Sequence, residues 1–349
     1  MIRTPILLIL VAFSSFSSCH YRTASEPTET SKAVKEEQIS LGGIIAEQLA
    51  NLSPIDSSLA NRETLFAGSL QQIKKLSEEI KLKKPGKEAE NTLRRAWTEQ
   101  QEKITGQLEN LSTEDARNWI ALNDSLLKYS GEVVYADELE RMAYNIAVPE
   151  IMTESMIKSF CYTKLYDRIY INFLGSSAME YEHTTGGKVR IIQDTNYPFD
   201  GSIVLKMELQ DTRYLDVFVR VPHWADRASV TVKGVKYNVV PGTYTEIAKK
   251  WKNGDEVEIV LGMRPDTVSN GQGHFAFTYG PLLLAYSDMQ NDSLFFSGTD
   301  PVKYLRYVSP PGKMPTFTFS GIPQKTLVLQ PYFSEEQEGS TRTAWIKTL

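Results

Sequence analysis

"SIVLKMELQDTRYLDVFVRV", residues 202–221, decides the fold class. Apolar and polar residues alternate through both halves of this stretch. Such a period of two places one side of a strand in a core and the other in solvent. Between the halves lies a polar break, "QDT", of turn composition. Two neighbouring antiparallel strands are expected here.

The same signal extends in both directions. "RIYINF", "KVRIIQD", "SVTVKG", "YTEIAKKW", "EVEIVLG" and "HFAFTYG" are short, rich in branched and aromatic residues, and bounded by Gly, Pro, Asn or Asp. Closely spaced strands of this kind predict an antiparallel sandwich rather than a parallel sheet. Asn253-Gly254-Asp255 is a tight-turn signal before a strand. "TLVLQPYF" and "TRTAWIKTL" offer further strands, and residues 290–325 form a longer excursion with a hairpin expected around "SPPGKMP". The β region is placed at residues 166–349.

Upstream the period changes. "SLQQIKKLSEEIKL" spaces Leu70, Ile73, Leu76 and Ile80 three or four apart, and Leu93, Trp97, Ile104 and Leu108 repeat the pattern. Pro85-Gly86 separates these two runs. Thr113 and Glu114 are expected just before a further helix, with Gly131 ending it. Residues 40–165 are therefore helical, and the fold class is α+β. In "YADELERMAYN", residues 135–145, Asp137 and Arg141 are expected to pair at i,i+4. The acids of this stretch read as solvated or packing-edge residues.

The first residues bear on compartment. "MIRTPILLILVAFSSFSSCH" has a charged start, a short apolar run and small residues, as in a secretory signal. Ser17-Ser18-Cys19 resembles a bacterial lipobox, with Phe16 where leucine is usual. The expectation is a signal over residues 1–19, a lipid on Cys19, and a flexible polar tether over 20–39. Cys161 is then left without a disulfide partner. It is expected to pack as a small hydrophobe. The net charge of −5 and the lack of a basic stripe argue against nucleic acid as a partner.

Chemistry-bearing patterns are sparse. His20, His183, His223 and His274 show no metal-ligand spacing, CxxC pairs are absent, and no phosphate loop is present. No cofactor or metal is expected. Glu180, Glu182, Asp194 and Asp200 are candidate carboxylates for a hydrolytic pair, with an exposed polar face as the simpler reading. Asp200-Gly201 after Tyr197-Pro198-Phe199 reads as a turn. His223-Trp224 after Pro222 closes a strand, where an aromatic ring can stack on a sugar.

Taken in order, "QDTNYPFDGSIVLKM", "FVRVPHWADRASVTVKG", "GTYTEIAKKWKNGDEVEIVL", "GHFAFTYGPLLLA" and "LQPYF" resemble glycoside hydrolase family 127, the β-L-arabinofuranosidase-type enzymes. "YSGEVVYADELERMAYN" is similar to a late helix of that family's (α/α)6 barrel. The resemblance implies a helical barrel on β-sandwich domains, acting on arabinose-containing glycans. It also implies a zinc held by a Glu-x-Cys and a Cys-Cys pair, one cysteine being the nucleophile. Neither motif is present: "STEDARN" precedes Trp119, and "IAVPEIMTESMIKS" fills the place of the pair. Only the last helices of a barrel fit the available length. The expectation is thus a cell-envelope protein without a catalytic site, in glycan binding or accessory glycan use. The sugar contacts expected are Tyr197, Phe199, Asp200, His223 and Trp224. An active hydrolase with a relocated carboxylate pair, and a structural protein with an unknown protein partner, are the alternatives.

Overall fold

The computed structural model describes residues 32–51, 63–83, 86–146, 151–288, 294–334 and 341–349. The signal, Cys19, His20 and the first part of the expected tether lie outside the described residues. Helices and strands are numbered along the chain.

Among the described residues the helices are α1 (Gly43–Asn51), α2 (Ala67–Lys83), α3 (Lys87–Gly106), α4 (Thr113–Ser130), α5 (Val133–Asn145) and α6 (Glu154–Cys161). Leu70, Ile73 and Ile80 on α2 and Leu93, Trp97 and Ile104 on α3 are buried, as their spacing requires. The start of α4 differs from expectation by one position. Ser112 is the N-cap and its Oγ accepts from the backbone N–H of Asp115, so Thr113 is already helical. Gly131 ends α4 at φ 68°, a left-handed cap that a side chain would strain. Trp97 stacks on Trp119 at 5.6 Å and meets Tyr135 edge-on at 5.3 Å, which locks α3, α4 and α5 together. None of the described helices is long and apolar enough to cross a membrane.

The strands form three sheets. A five-stranded sheet runs β1 (Lys32–Ala33), β3 (Tyr162–Leu165), β4 (Arg168–Ile171), β8 (Arg213–Val221), β11 (Thr243–Trp251). A seven-stranded sheet runs β10 (Val235–Lys236), β9 (Ser229–Val232), β12 (Asp255–Val260), β7 (Ser202–Leu209), β6 (Lys188–Thr195), β5 (Ser177–Glu182), β2 (Ile39–Leu41). Their inner faces pack as a sandwich through Ile169, Val217, Val219 and Ile247 from one sheet and Ile191, Leu205, Met207 and Val257 from the other. Within these two sheets the pairing of the described strands is antiparallel except where β4 runs parallel to β8. The chain is α+β, with the helices before all strands but β1 and β2.

Residues 32–39 depart from the tether expectation, and Ser40 and Leu41 from the helical one. They add β1 to the edge of the five-stranded sheet and β2 to the edge of the seven-stranded one. Both strands are too short to show an alternation of their own.

The third sheet contains β16 (Phe295–Phe296), β21 (Ile346–Thr348), β14 (His274–Tyr279), β15 (Leu282–Asp288), β19 (Lys325–Pro331), β18 (Phe317–Ile322) and β17 (Leu305–Tyr307). β13 (Pro265–Ser269) joins β14, and β20 (Thr341–Thr343) joins β15. This sheet has a second core of its own, built on Phe275, Phe277, Phe317 and Phe319. The hairpin expected around "SPPGKMP" is present as β17–β18. One helix ties both β units to the helices. On α5, Asn145 donates to the Pro281 carbonyl at 2.8 Å and accepts from the Leu283 N–H at 2.7 Å.

Candidate functional site at the helix–sandwich junction

Two of the three carboxylates of α5 do not face solvent. Glu138 and Glu140 are buried, at 3% and 1% exposure, and each faces a different set of partners. Arg141 donates twice to Glu138, at 2.6 and 2.9 Å, and the Trp119 indole N–H reaches the same carboxylate at 2.5 Å. The expected Asp137–Arg141 pair is therefore replaced by Glu138–Arg141 at i,i+3. Both spacings share a helix face. Asp137 is drawn away by a stronger partner from the sandwich.

That partner is Arg220 on β8, which is fully buried. Its Nε donates to the Asn172 carbonyl at 2.6 Å, one terminal nitrogen pairs with Asp137, and the other pairs with Glu140. Glu140 also accepts from the Tyr197 hydroxyl at 2.6 Å and the Leu174 N–H at 3.2 Å. Burial pushes the Glu140 carboxyl up, against the pull of Arg220 and Tyr197. Burial works to lower Arg220, but Glu140 and Asp137 outweigh it and hold the guanidinium charged. Every carboxylate oxygen of the cluster accepts from at least one protein donor, and the cluster joins helix to sandwich.

His223 is the outward end of the same chain of contacts. Its Nδ1 lies 2.7 Å from Asp137 Oδ2, and its backbone N–H donates to that oxygen at 2.9 Å. A proton on Nδ1 satisfies the carboxylate and leaves Nε2 as the free nitrogen of the neutral ring. The ring lies over Gly242, where φ is +75° and an added Cβ would stand 2.6 Å from Nε2. The hydrogen bond to Asp137 raises the His223 pKa, opposed by partial burial and by Arg220 and Arg94. Since the folded pKa lies above the unfolded one, this contact stabilises fully below about pH 6.5 and fades as pH rises through the folded value. The expected result is that His223→Ala loses most stability at about pH 5.5, with a gap to the parent that narrows above neutrality. Urea unfolding at three pH values checks it, and a constant gap would contradict it.

The other expected sugar contacts scatter around this junction. Trp224 follows His223, is partly exposed, and packs by Gly280. Phe199 is partly exposed and stacks on Phe333 at 6.3 Å. Asp200 accepts from the Ser202 N–H at 3.0 Å, which caps the entry to β7. Tyr197 is only 1% exposed, and its hydroxyl is held by Glu140.

Of the carboxylates considered for hydrolysis, Glu180, Glu182 and Asp194 sit elsewhere, on the outer face of the seven-stranded sheet. Glu180 and Glu182 border a shallow depression of about 460 Å³ with Glu37, Lys188 and Arg190. Glu180 pairs with Lys188 at 2.9 Å, Glu182 accepts from the Gly187 N–H at 2.6 Å, and Asp194 pairs with Lys206 at 2.6 Å. These are surface pairs on a solvated face. His183, by contrast, is buried between Thr185 and the Tyr214 carbonyl.

The residues present do not fit the zinc that the family resemblance implies. Cys161 is fully buried, its sulfur 3.9 Å from Ser177 Oγ, and burial pushes its thiol up to about 12. A thiolate ligand needs the opposite shift. Among the described residues, no three His, Cys, Asp or Glu side chains converge as metal ligands. Cys161 behaves as a small apolar residue beside Phe160 and Ile157.

Arg220 was the residue sequence reasoning missed. Its signal was a lone cation inside "VFVRVP", at a strand position flanked by buried valines. Such a charge needs a partner, and the structure supplies Asp137 and Glu140 from α5.

Comparison with known proteins agrees with this architecture. The family model "Beta-L-arabinofuranosidase, GH127 middle domain" matches residues 168–263. No curated protein matches the sequence. Among solved structures, a glycoside hydrolase aligns at 19% identity and TM-score 0.56, over 68% of this chain and 52% of that one. A GH127 beta-L-arabinofuranosidase from Geobacillus stearothermophilus T6 aligns at 18% identity and TM-score 0.57, over 68% and 50%. A further GH127 beta-arabinofuranosidase aligns at 21% identity and TM-score 0.58, over 68% and 49%. The chain thus spans about half the length of the structures it matches, and at these identities the likeness is one of fold. Over residues 168–263 the chain is thus similar to the GH127 middle domain.

Proposed function

We propose that the protein is a lipid-anchored protein of a bacterial cell envelope that binds arabinose-containing glycan without hydrolysing it. One observation supports the non-catalytic half of this reading above the others. The acids of the family-like helix α5 are saturated by Arg220, Arg141, Trp119 and Tyr197, and the cysteine that follows them is sealed in the core. A nucleophile or general acid must reach its substrate, and these groups reach only protein. The glycan half draws on the arabinofuranosidase relatives and on the His223–Trp224 corner, which offers an aromatic ring beside a polar one. Phe199 and Asp200 belong to the same proposed contact set. The anchor draws on Ser17-Ser18-Cys19 at the end of the apolar leader.

Incubation with an aryl β-L-arabinofuranoside, binding titration with a linear arabino-oligosaccharide, and metal analysis test the reading together. Binding without turnover is expected, and Trp224→Ala is expected to weaken it about tenfold, the equivalent of roughly 1.4 kcal/mol. Turnover above the buffer rate, or stoichiometric zinc, would sink the non-catalytic assignment. For the anchor, Cys19→Ser is expected to move the protein from the membrane fraction to the soluble one. Unchanged fractionation would remove the lipid.

A further inference from the structure

Turns gather at the end of the sandwich away from α5: Tyr166–Asp167 between β3 and β4, residues 183–187 between β5 and β6, 210–212 between β7 and β8, and 252–254 between β11 and β12. The register brings them together. Arg168 lies opposite Asp216 and Arg213 opposite Trp251, while the Thr184 N–H donates to Asp167 at 3.3 Å from one sheet to the other. The described chain also begins here. Lys32 lies opposite Lys164 and β1 runs antiparallel to β3, so the chain enters β1 from the side of the Tyr166 turn. The His223–Trp224 corner lies past the other end of β8, whose 9 residues span roughly 27 Å.

What this end shows to solvent is aromatic and basic. Tyr166 is 67% exposed and Tyr214 is 56% exposed, the two most exposed aromatic residues among those described. They stand side by side, each two residues ahead of the Arg168–Asp216 pair. Tyr166 holds φ 54°, which glycine or asparagine adopts at less cost, so the turn does not explain the ring. Lys250 lies opposite Tyr214, and Lys32, Lys250 and Lys252 are exposed with no acid paired to them among the described residues. The acids of this end are engaged within the fold. Asp211 pairs with Arg213 at 3.1 Å, Asp255 with Lys233 at 2.6 Å and Lys249 at 2.9 Å, and Glu182 accepts from the Gly187 N–H. Exposed tyrosine rings among unpaired lysines fit the headgroup layer of an anionic bilayer, where the rings meet the apolar boundary and the ammonium groups meet phosphate.

We propose that this end of the sandwich docks on the anionic lipid surface to which the protein is anchored, and so turns the His223–Trp224 corner outward. The proposal rests on the anchor at Cys19, and the chain length suits it: Lys32 is 13 residues beyond Cys19, a reach of at most about 45 Å. Docking of this kind is weak and orients a molecule that the lipid already holds. The test uses residues 20–349, which lack leader and lipid but keep every described residue, sedimented with vesicles at millimolar lipid. Binding is expected to phosphatidylcholine vesicles that contain phosphatidylglycerol, and not to phosphatidylcholine alone. Lys32→Glu, Lys250→Glu and Lys252→Glu together are expected to weaken it about tenfold or more, as is Tyr166→Gly with Tyr214→Ser, while the melting temperature holds. Lys313→Glu is the control from the opposite end, next to Gly312, whose carbonyl accepts from Asn196, and is expected to bind like the parent. Four results would each overturn the docking: no binding by the parent, equal binding to both vesicles, variants that bind like the parent, or an equal loss with Lys313→Glu. None of them touches the anchor, which stands or falls on the fractionation of the Cys19→Ser protein.

Discussion

Arg220→Met is expected to unfold the protein more readily than any single change at its surface, by about 3–5 kcal/mol in denaturant titration. The side chain is fully buried and holds two carboxylates of α5 against the sandwich. Methionine fills much of the volume but leaves Glu140 in the interior with only Tyr197 and the Leu174 N–H as donors. Domains of this kind are stable by only about 5–15 kcal/mol, so the loss is a large share. The sign with pH follows from Glu140. Burial already raises its pKa, and removing Arg220 raises it further. The variant's folded state then favours the protonated acid, so its deficit shrinks as pH falls and grows as pH rises. Adding Glu140→Gln is expected to restore part of the stability, because the uncompensated charge disappears with its carboxylate. A double variant no better than Arg220→Met would show that packing, not charge, governs this junction.

Gly201→Ala is the second large effect. A Cβ at Gly201 would stand 1.9 Å from the Leu261 carbonyl oxygen, and this obstacle is backbone rather than a movable side chain. The two segments cannot simply part, since the Leu261 N–H donates to the Gly201 carbonyl at 2.8 Å. Relief requires shifting the end of β7 against β12, at a cost of about 3 kcal/mol. Gly68→Ala is the matching control. Nothing lies within 4 Å of its would-be Cβ, and it sits in α2, so alanine there is expected to stabilise by about 0.5 kcal/mol. Thermal melts of the two variants should move in opposite directions. A Gly201→Ala melt within a degree or so of the parent would contradict the clash.

Strands such as β6, β7, β8, β11 and β12 were legible because each alternates over enough residues to declare a face, and the helices α2 to α5 because their apolar stripes recur at three and four. What sequence could not supply was partnership across distance. Asp137 has an arginine four positions on, and local geometry favours that pair. The structure gives Asp137 to Arg220, which lies far along the chain, and leaves Arg141 to Glu138. Burial of Glu138 and Glu140 follows from that long-range choice, and a charge pattern read locally sees only a wet helix face. Gly201 is a similar case. It reads as a turn residue, yet its role is the close approach of Leu261 rather than a left-handed backbone. Lys32–Leu41 escaped for a simpler reason: its strands are two and three residues long and take their register wholly from β3 and β5. At the candidate site, the residue types at 223 and 224 were visible, whereas the tie from His223 to Asp137 was not.

The pairing of Lys32–Leu41 also orders events during synthesis. These residues leave the ribosome well before their partners at Tyr162–Leu165 and Ser177–Glu182, which emerge only after α1 to α6 have been made. Closing so long a loop cannot precede the hairpins of the sandwich, which form from neighbouring segments. The nascent chain therefore carries its first strands unpaired while the helices gather, and β1 and β2 are laid on as the last staves of the two sheets. Until then the edges of β3 and β5 stay open, and that interval is when another copy or a chaperone can take their place.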